Sequence, residues 1–153
     1  MPELTVARIE TLEELADALE IRRRVFIDEQ HVPEDEEIDR FDEDPTMVRD
    51  CVHMLVRLDR EPIGTGRLLL DDPSEERAHI GRVAVLLEHR RSGAGQVVME
   101  ALQDEARRLG RPGITLSAQL HAMPFYRRLG YVARGEVFLD AGIEHRWMDL
   151  DFV

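Results

Sequence analysis

The stretch RRSGAGQVVMEALQDEARRLG, Arg90 to Gly110, decides how this chain is read. It opens on two arginines and a Gly-Ala-Gly turn. It then runs into an amphipathic helix with Val98, Leu102, Ala106 and Leu109 on one side and Gly110 as its stop. A helix start exposes unpaired N–H groups and about half a positive charge, so it attracts phosphate wherever side chains stay out of the way. Gly93 and Gly95 keep them out, and Arg90 and Arg91 add guanidinium groups that grip phosphate through parallel hydrogen bonds. An ordinary strand-to-helix turn has the same glycines, so the surroundings must decide.

Composition narrows the choices. At 153 residues and 43% hydrophobic, without repeats, the chain reads as one globular domain. No apolar run approaches the roughly 18 residues that span a bilayer. The start, MPELTVARIE, lacks the basic and apolar regions of a signal peptide, so a cytoplasmic protein is expected. Cys51 is the only cysteine and reads as a small buried hydrophobe. All 20 cationic residues are arginine, which removes Schiff-base and lysine-nucleophile chemistry. A net charge of -12 repels nucleic acid and anionic membranes, so neither is expected as a partner, and it draws cations.

Working outward, LTVARI alternates as a first strand, and Thr11 with Glu14 forms a capping box for a helix from about residue 12 to 29. The acidic stretch HVPEDEEIDRFDED is an acidic loop or a loop with a short helix. CVHMLVRL and IGTGRLLL form a hairpin around DREP, and AHIGRVAVLL is a more uniformly apolar strand. After the quoted helix come the strand GITLSAQ, a short helix PFYRRLG, and two strands around DAGI. This order is α+β with a mixed sheet, and its strand-helix-strand crossover must be parallel and right-handed.

Two phosphate loops fail. A Walker loop needs a lysine that the chain lacks. A dinucleotide fingerprint needs a third glycine where Val98 stands, and it sits at the first strand-helix junction, whereas this turn follows the fourth strand.

What fits is R-x-x-G-x-G, Arg90, Gly93 and Gly95, after Val83-Ala84-Val85. It resembles the acyl-CoA-binding motif of the GNAT family of N-acetyltransferases. AMPFYRRLGYVARGEVF is similar to that family's second signature, and the strand and helix order matches along residues 1–153. Leu87 stands where proline is common and Arg91 where glycine is common; neither removes an amide that phosphate needs. IRRRVFIDEQHVPEDEEID and the ending Gly142-Ile143, His145, Met148 resemble a small bacterial-type branch with an R-x-V-F-x-x-E-Q element.

The resemblance implies a mixed, mostly antiparallel sheet of about six or seven strands, splayed between the fourth and fifth, with helices on both faces. It implies acetyl-CoA as co-substrate, no metal, and an amine of a small molecule or peptide as acceptor, attacked directly in a ternary complex. The pyrophosphate would lie on the amides of Arg91, Ser92, Gly93, Ala94 and Gly95 beside Arg90, and pantetheine along Val83, Ala84 and Val85, with the Val85 N–H polarising the thioester. Tyr126 would protonate the leaving thiolate, or else pack on Phe125 in the core. Glu29 is the first candidate for the base, followed by His79, His121 and His145, with Glu144 behind them. A second reading is a non-catalytic acyl-CoA sensor of the same fold, against which Tyr126 argues. The pattern is compatible with a homodimer.

The acidic segment from Glu34 to Asp44 points to a cationic amine or peptide amine. Arg22, Arg23, Arg24 and Arg67 point to an anionic acceptor if they enter the cleft, and sequence does not decide their direction.

Overall fold

Apolar alternation and capping residues produce the expected order of elements. The computed structural model describes residues 2–72 and 75–153. Its first half runs β1 (Leu4–Arg8), α1 (Leu12–Arg22), α2 (Glu34–Glu37), β2 (Cys51–Leu58), β3 (Glu61–Leu69) and β4 (Ala78–Val85). The second half runs α3 (Ala94–Arg108), β5 (Gly113–Gln119), α4 (Met123–Arg128), β6 (Val132–Asp140) and β7 (Ile143–Asp151). Thr11 Oγ1 accepts from the Glu14 amide at 3.1 Å while the Glu14 carboxylate accepts from the Thr11 amide at 3.1 Å, closing the capping box. The first helix does not continue as a regular α-helix to residue 29. Arg23–Glu29 form a wider π-helical stretch, beginning directly after Arg22, whose buried side chain is fixed by Glu37 and Asp42.

The strands form one sheet in the order β1-β2-β3-β4-β5-β7-β6, antiparallel except where β4 meets β5. Those two strands are parallel and joined at only two pairs, Ala78 with Ile114 and His79 with Thr115. Beyond His79 they part. β4 also carries a bulge at Arg82, which has φ 52° and shifts the register against β3 between Thr65 and Arg67.

Both faces of the sheet are covered. Val98, Met99, Leu102 and Ala106 of α3 are fully buried against Val56, Ile63, Ile80 and Leu116. Leu15, Ala18 and Ile21 of α1 with the following Val25 cover Leu55, Ala84 and Leu86 on the other face. Each buried leucine or isoleucine contributes about 1.5–3 kcal/mol, and this clamps the two halves of β4 while its far edge stays unpaired. Among the described residues, no helix is long and apolar enough to cross a membrane.

Candidate active site

The parting of β4 and β5 leaves backbone groups unused. Leu86 N–H donates to the Ile63 carbonyl at 2.9 Å. An antiparallel ladder alternates, so the N–H and C=O of the preceding Val85 point away from β3, into the gap. The Val85 carbonyl receives Arg90 Nε at 3.1 Å from that side. A cavity of about 520 Å³ fills the gap. Val83, Ala84, Val85, Arg90 and Tyr126 line it, as do the histidines His79, His121 and His145.

The loop at the head of α3 is shaped by two glycines used differently. Gly93 caps the helix at φ 90°, a left-handed conformation that favours glycine. Ser92 Oγ donates to the His89 carbonyl at 2.6 Å and accepts from the Ala94 amide at 3.2 Å, so it orients the turn. The next two amides, of Gly95 and Gln96, have no protein partner among the described residues. Gly95 owes its bare Cα to a neighbour: an added Cβ would stand 3.3 Å from Phe125 Cζ. The Gly-rich turn and the Phe-Tyr helix, two separate signals in sequence, therefore touch at this point. Arg91, Arg127 and Arg128 are exposed.

The chain has two tyrosines, and their surroundings differ. Tyr131 donates its hydroxyl to Gln103 Oε1 at 2.7 Å in the core. Tyr126 packs edge-on against Phe125 and Tyr131 at 5.1 and 5.9 Å, while its hydroxyl has no partner among the described residues. Burial pushes its pKa up to about 12, so it holds its proton.

The proposed bases are arranged unequally. Glu29 is clasped by Arg90 through two 2.7 Å bonds, and this hydrogen bond, outweighing burial, lowers the Glu29 pKa. A carboxylate so held is a poor proton acceptor. His79 is pushed below the ordinary histidine pKa by burial and is neutral at physiological pH. His145 is buried, and its Nδ1 lies 2.7 Å from the Ile143 carbonyl. A carbonyl only accepts, so Nδ1 is the donor, and Nε2 has no partner among the described residues. His121 is exposed beside Glu29.

The arginines left open by sequence are all paired. Arg22 is buried, with Nε 2.6 Å from Glu37 and NH1 2.6 Å from Asp42. Burial works against its charge, yet these carboxylates outweigh it and raise its pKa. Arg67 bonds Asp39 at 2.5 Å and Asp42 at 3.3 Å. Asp39 is also opposed by burial and ends below its ordinary pKa because of Arg67. Arg23 pairs with Glu20 and Asp28, and Arg24 with Glu88, on the surface. Of the four only Arg67 lines the cavity. Sequence reasoning missed Arg82, which lines it too and donates to the Glu36 and Glu37 carbonyls at 3.2 and 3.1 Å. The signal was an arginine inside the otherwise apolar run HIGRVAV.

Residues 10–131 match the model of the acetyltransferase (GNAT) family. The chain belongs to that family. It is 39% identical over 140 residues to the uncharacterized N-acetyltransferase YjcF of Bacillus subtilis strain 168, covering 91% of this chain and 94% of that protein. It is 36% identical over 142 residues to the uncharacterized protein YyaT of the same organism, covering 93% and 92%. The crystal structure of an acyl-CoA N-acyltransferase from Pseudomonas aeruginosa superposes with TM-score 0.79 at 34% identity, covering 97% of this chain and 99% of that one. This GNAT protein is an acyl-CoA N-acyltransferase.

Proposed function

We propose that this GNAT protein transfers an acetyl group from acetyl-CoA to the primary amine of a small molecule or peptide, by direct attack within a ternary complex. One observation carries the reading: a single cavity is lined by the unpaired edge of β4, by an unpartnered tyrosine and by a histidine with a free ring nitrogen.

The residues divide the work as follows. Free amides at the head of α3 bind the pyrophosphate, with Arg90 and Arg91 beside it. Pantetheine adds to the edge of β4 like a strand, and the Val85 N–H polarises the thioester carbonyl. The amine loses its proton to His145 Nε2, which takes the role that Glu29, held by Arg90, is unsuited to fill. The C–N bond forms, the C–S bond breaks, and Tyr126 gives its proton to the leaving sulfur. Burial raises a thiol's pKa for the same reason that it raises the phenol's, so the pair stays matched inside the cavity.

The test is thiol release from acetyl-CoA with a panel of amines, together with calorimetry of CoA binding. Tyr126→Phe should lower kcat by about 100-fold or more while leaving the CoA dissociation constant within about threefold. Binding of CoA with no amine turned over would favour a sensor, and loss of CoA binding in this variant would overturn the role given to Tyr126.

A further inference from the structure

The half of the cavity away from the phosphate loop has a wall of aromatic rings. His79 meets Trp147 edge to face at 5.6 Å, Trp147 stacks on Phe138 at 5.5 Å, and Phe138 stacks on His145 at 5.9 Å. All four residues line the cavity. The row follows from register, since Phe138 pairs with His145 across β6 and β7 and Trp147 lies two residues further on the same face. Ring faces attract cations, and the back of the wall already shows it: Arg134, which lines only a second, smaller cavity, stands 5.4 Å from the Trp147 centroid.

Charge points the same way. The side chains lining the cavity and their direct ion-pair partners include Arg22, Arg67, Arg82 and Arg90. Against these four stand six carboxylates, those of Glu29, Glu36, Glu37, Asp39, Asp42 and Asp140. Glu36 and Asp140 are exposed, belong to different elements, and have no ion pair among the described residues. The arginines are not spare cations, because each is already turned onto carboxylates or carbonyls.

Residues that line the cavity also carry unmatched polar atoms. Among the described residues three buried side-chain atoms have no hydrogen-bond partner, Glu37 Oε2, Arg67 Nε and Ser117 Oγ, and all three residues line this cavity. Glu37 is only 2% exposed and its other carboxylate oxygen is held by Arg22 Nε at 2.6 Å, so it keeps its negative charge buried behind the cavity wall. Arg67 Nε adds one donor without net charge, its guanidinium being held by Asp39 and Asp42.

We propose that the acceptor is a diamine or polyamine. One amino group is delivered neutral and takes the acetyl group. A second stays an ammonium ion, held between the aromatic wall and Asp140. The proposal rests on the N-acetyl transfer reading and narrows its substrate. Atoms balance as in any such transfer: amine and acetyl-CoA give the N-acetylamine and free CoA thiol, and the second ammonium passes through unchanged.

Trp147 is the only tryptophan in the chain, so its fluorescence reports on this wall without any turnover. The CoA-bound protein is titrated with diaminoalkanes of three to six carbons, with alkyl monoamines of matched length, and with the matched ω-amino acids. The best diamine should shift Trp147 emission at a concentration at least about tenfold below its monoamine, and the ω-amino acid should bind most weakly. Asp140→Asn should raise the half-saturating diamine concentration several-fold with CoA affinity unchanged. Equal or tighter binding of the ω-amino acid, or no preference for a diamine at any length, overturns the proposal. Failure of acetyl transfer itself is read separately, by calorimetry of CoA and by thiol release. A protein that acetylates monoamines and amino acids as well as diamines keeps the transferase reading and loses this one.

Discussion

The two halves of the cavity are made from different materials. The part proposed to take the acyl donor is largely backbone: the edge of β4 beyond its bulge, which lines the cavity, and beside it two amides at the head of α3 behind one positive-φ glycine. The part proposed for the acceptor is almost wholly side chain, drawn from α2, β3, β4, β5, β6, β7 and the π-helical stretch, and held by the interlocked Arg22, Glu37, Asp42, Arg67 and Asp39. Backbone recognition needs a short run of sequence with the correct conformation. Side-chain recognition needs distant segments to meet, and each buried charge must find its partner or cost more than the site gains.

The sharpest way to break this contrast is Arg22→Ala. It strands Glu37 and Asp42, both nearly inaccessible, without their shared cation, and should destabilise the fold by about 3–5 kcal/mol in urea unfolding. CoA affinity of the molecules that stay folded should hardly change, because no part of the cluster belongs to the phosphate loop. A loss below about 1 kcal/mol would show that the acidic loops are not anchored by these charges. Gly93→Val is the complementary change. A Cβ there meets nothing nearer than Leu4 Cδ1 at 3.9 Å, so the cost is conformational, about 1–3 kcal/mol for a β-branched residue forced to φ 90°. Its larger effect should be on CoA binding measured by calorimetry, since the amides of Gly95 and Gln96 would re-aim. Unchanged affinity would mean that the phosphate does not sit on this turn.

The same division explains what could be read from the letters alone. The order of strands and helices was legible because hydrophobic periodicity is a local signal, and the splay at the fourth strand was expected from the family resemblance that the R-x-x-G-x-G turn carries. Candidate residues were found where they lie beside such motifs, as Tyr126 does. The contact between Gly95 and Phe125 was not legible, although each residue stood inside a recognised signature, because nothing in either signature names the other. Nor was the fate of Arg22 and Arg67: their partners lie 15 to 28 positions away, and the strand register that brings Gly81 opposite Arg67 comes from a bulge no pattern announced. The partner of Glu29 was not legible for the same reason, as its acceptor-side motif gave no hint of Arg90, 61 residues on.

That pair is the seam between the halves, and it supplies the smallest and most discriminating effect. Arg90 holds the Glu29 carboxylate from the Gly-rich loop, while the adjacent Gln30 accepts from Gln119 Nε2 at 2.8 Å on the far side of the gap. Both charged side chains are about one-third exposed, at 37% and 34%, so the ion pair is worth under about 1 kcal/mol. Glu29→Gln should therefore leave stability nearly unchanged. It should tighten CoA binding by a factor of a few, because Arg90 is then less occupied when the pyrophosphate arrives. The sign with pH follows from the direction of the shift. Glu29 lies below its ordinary pKa in the folded protein, so the pairing is present at neutral pH and is lost as pH falls through that lowered value. Acidification should therefore narrow the difference in CoA affinity between the two proteins. If Glu29 were instead the base, the variant would lose about 100-fold or more in kcat at neutral pH, an outcome that would return the proton transfer to the acceptor-side helix and leave His145 a purely structural residue.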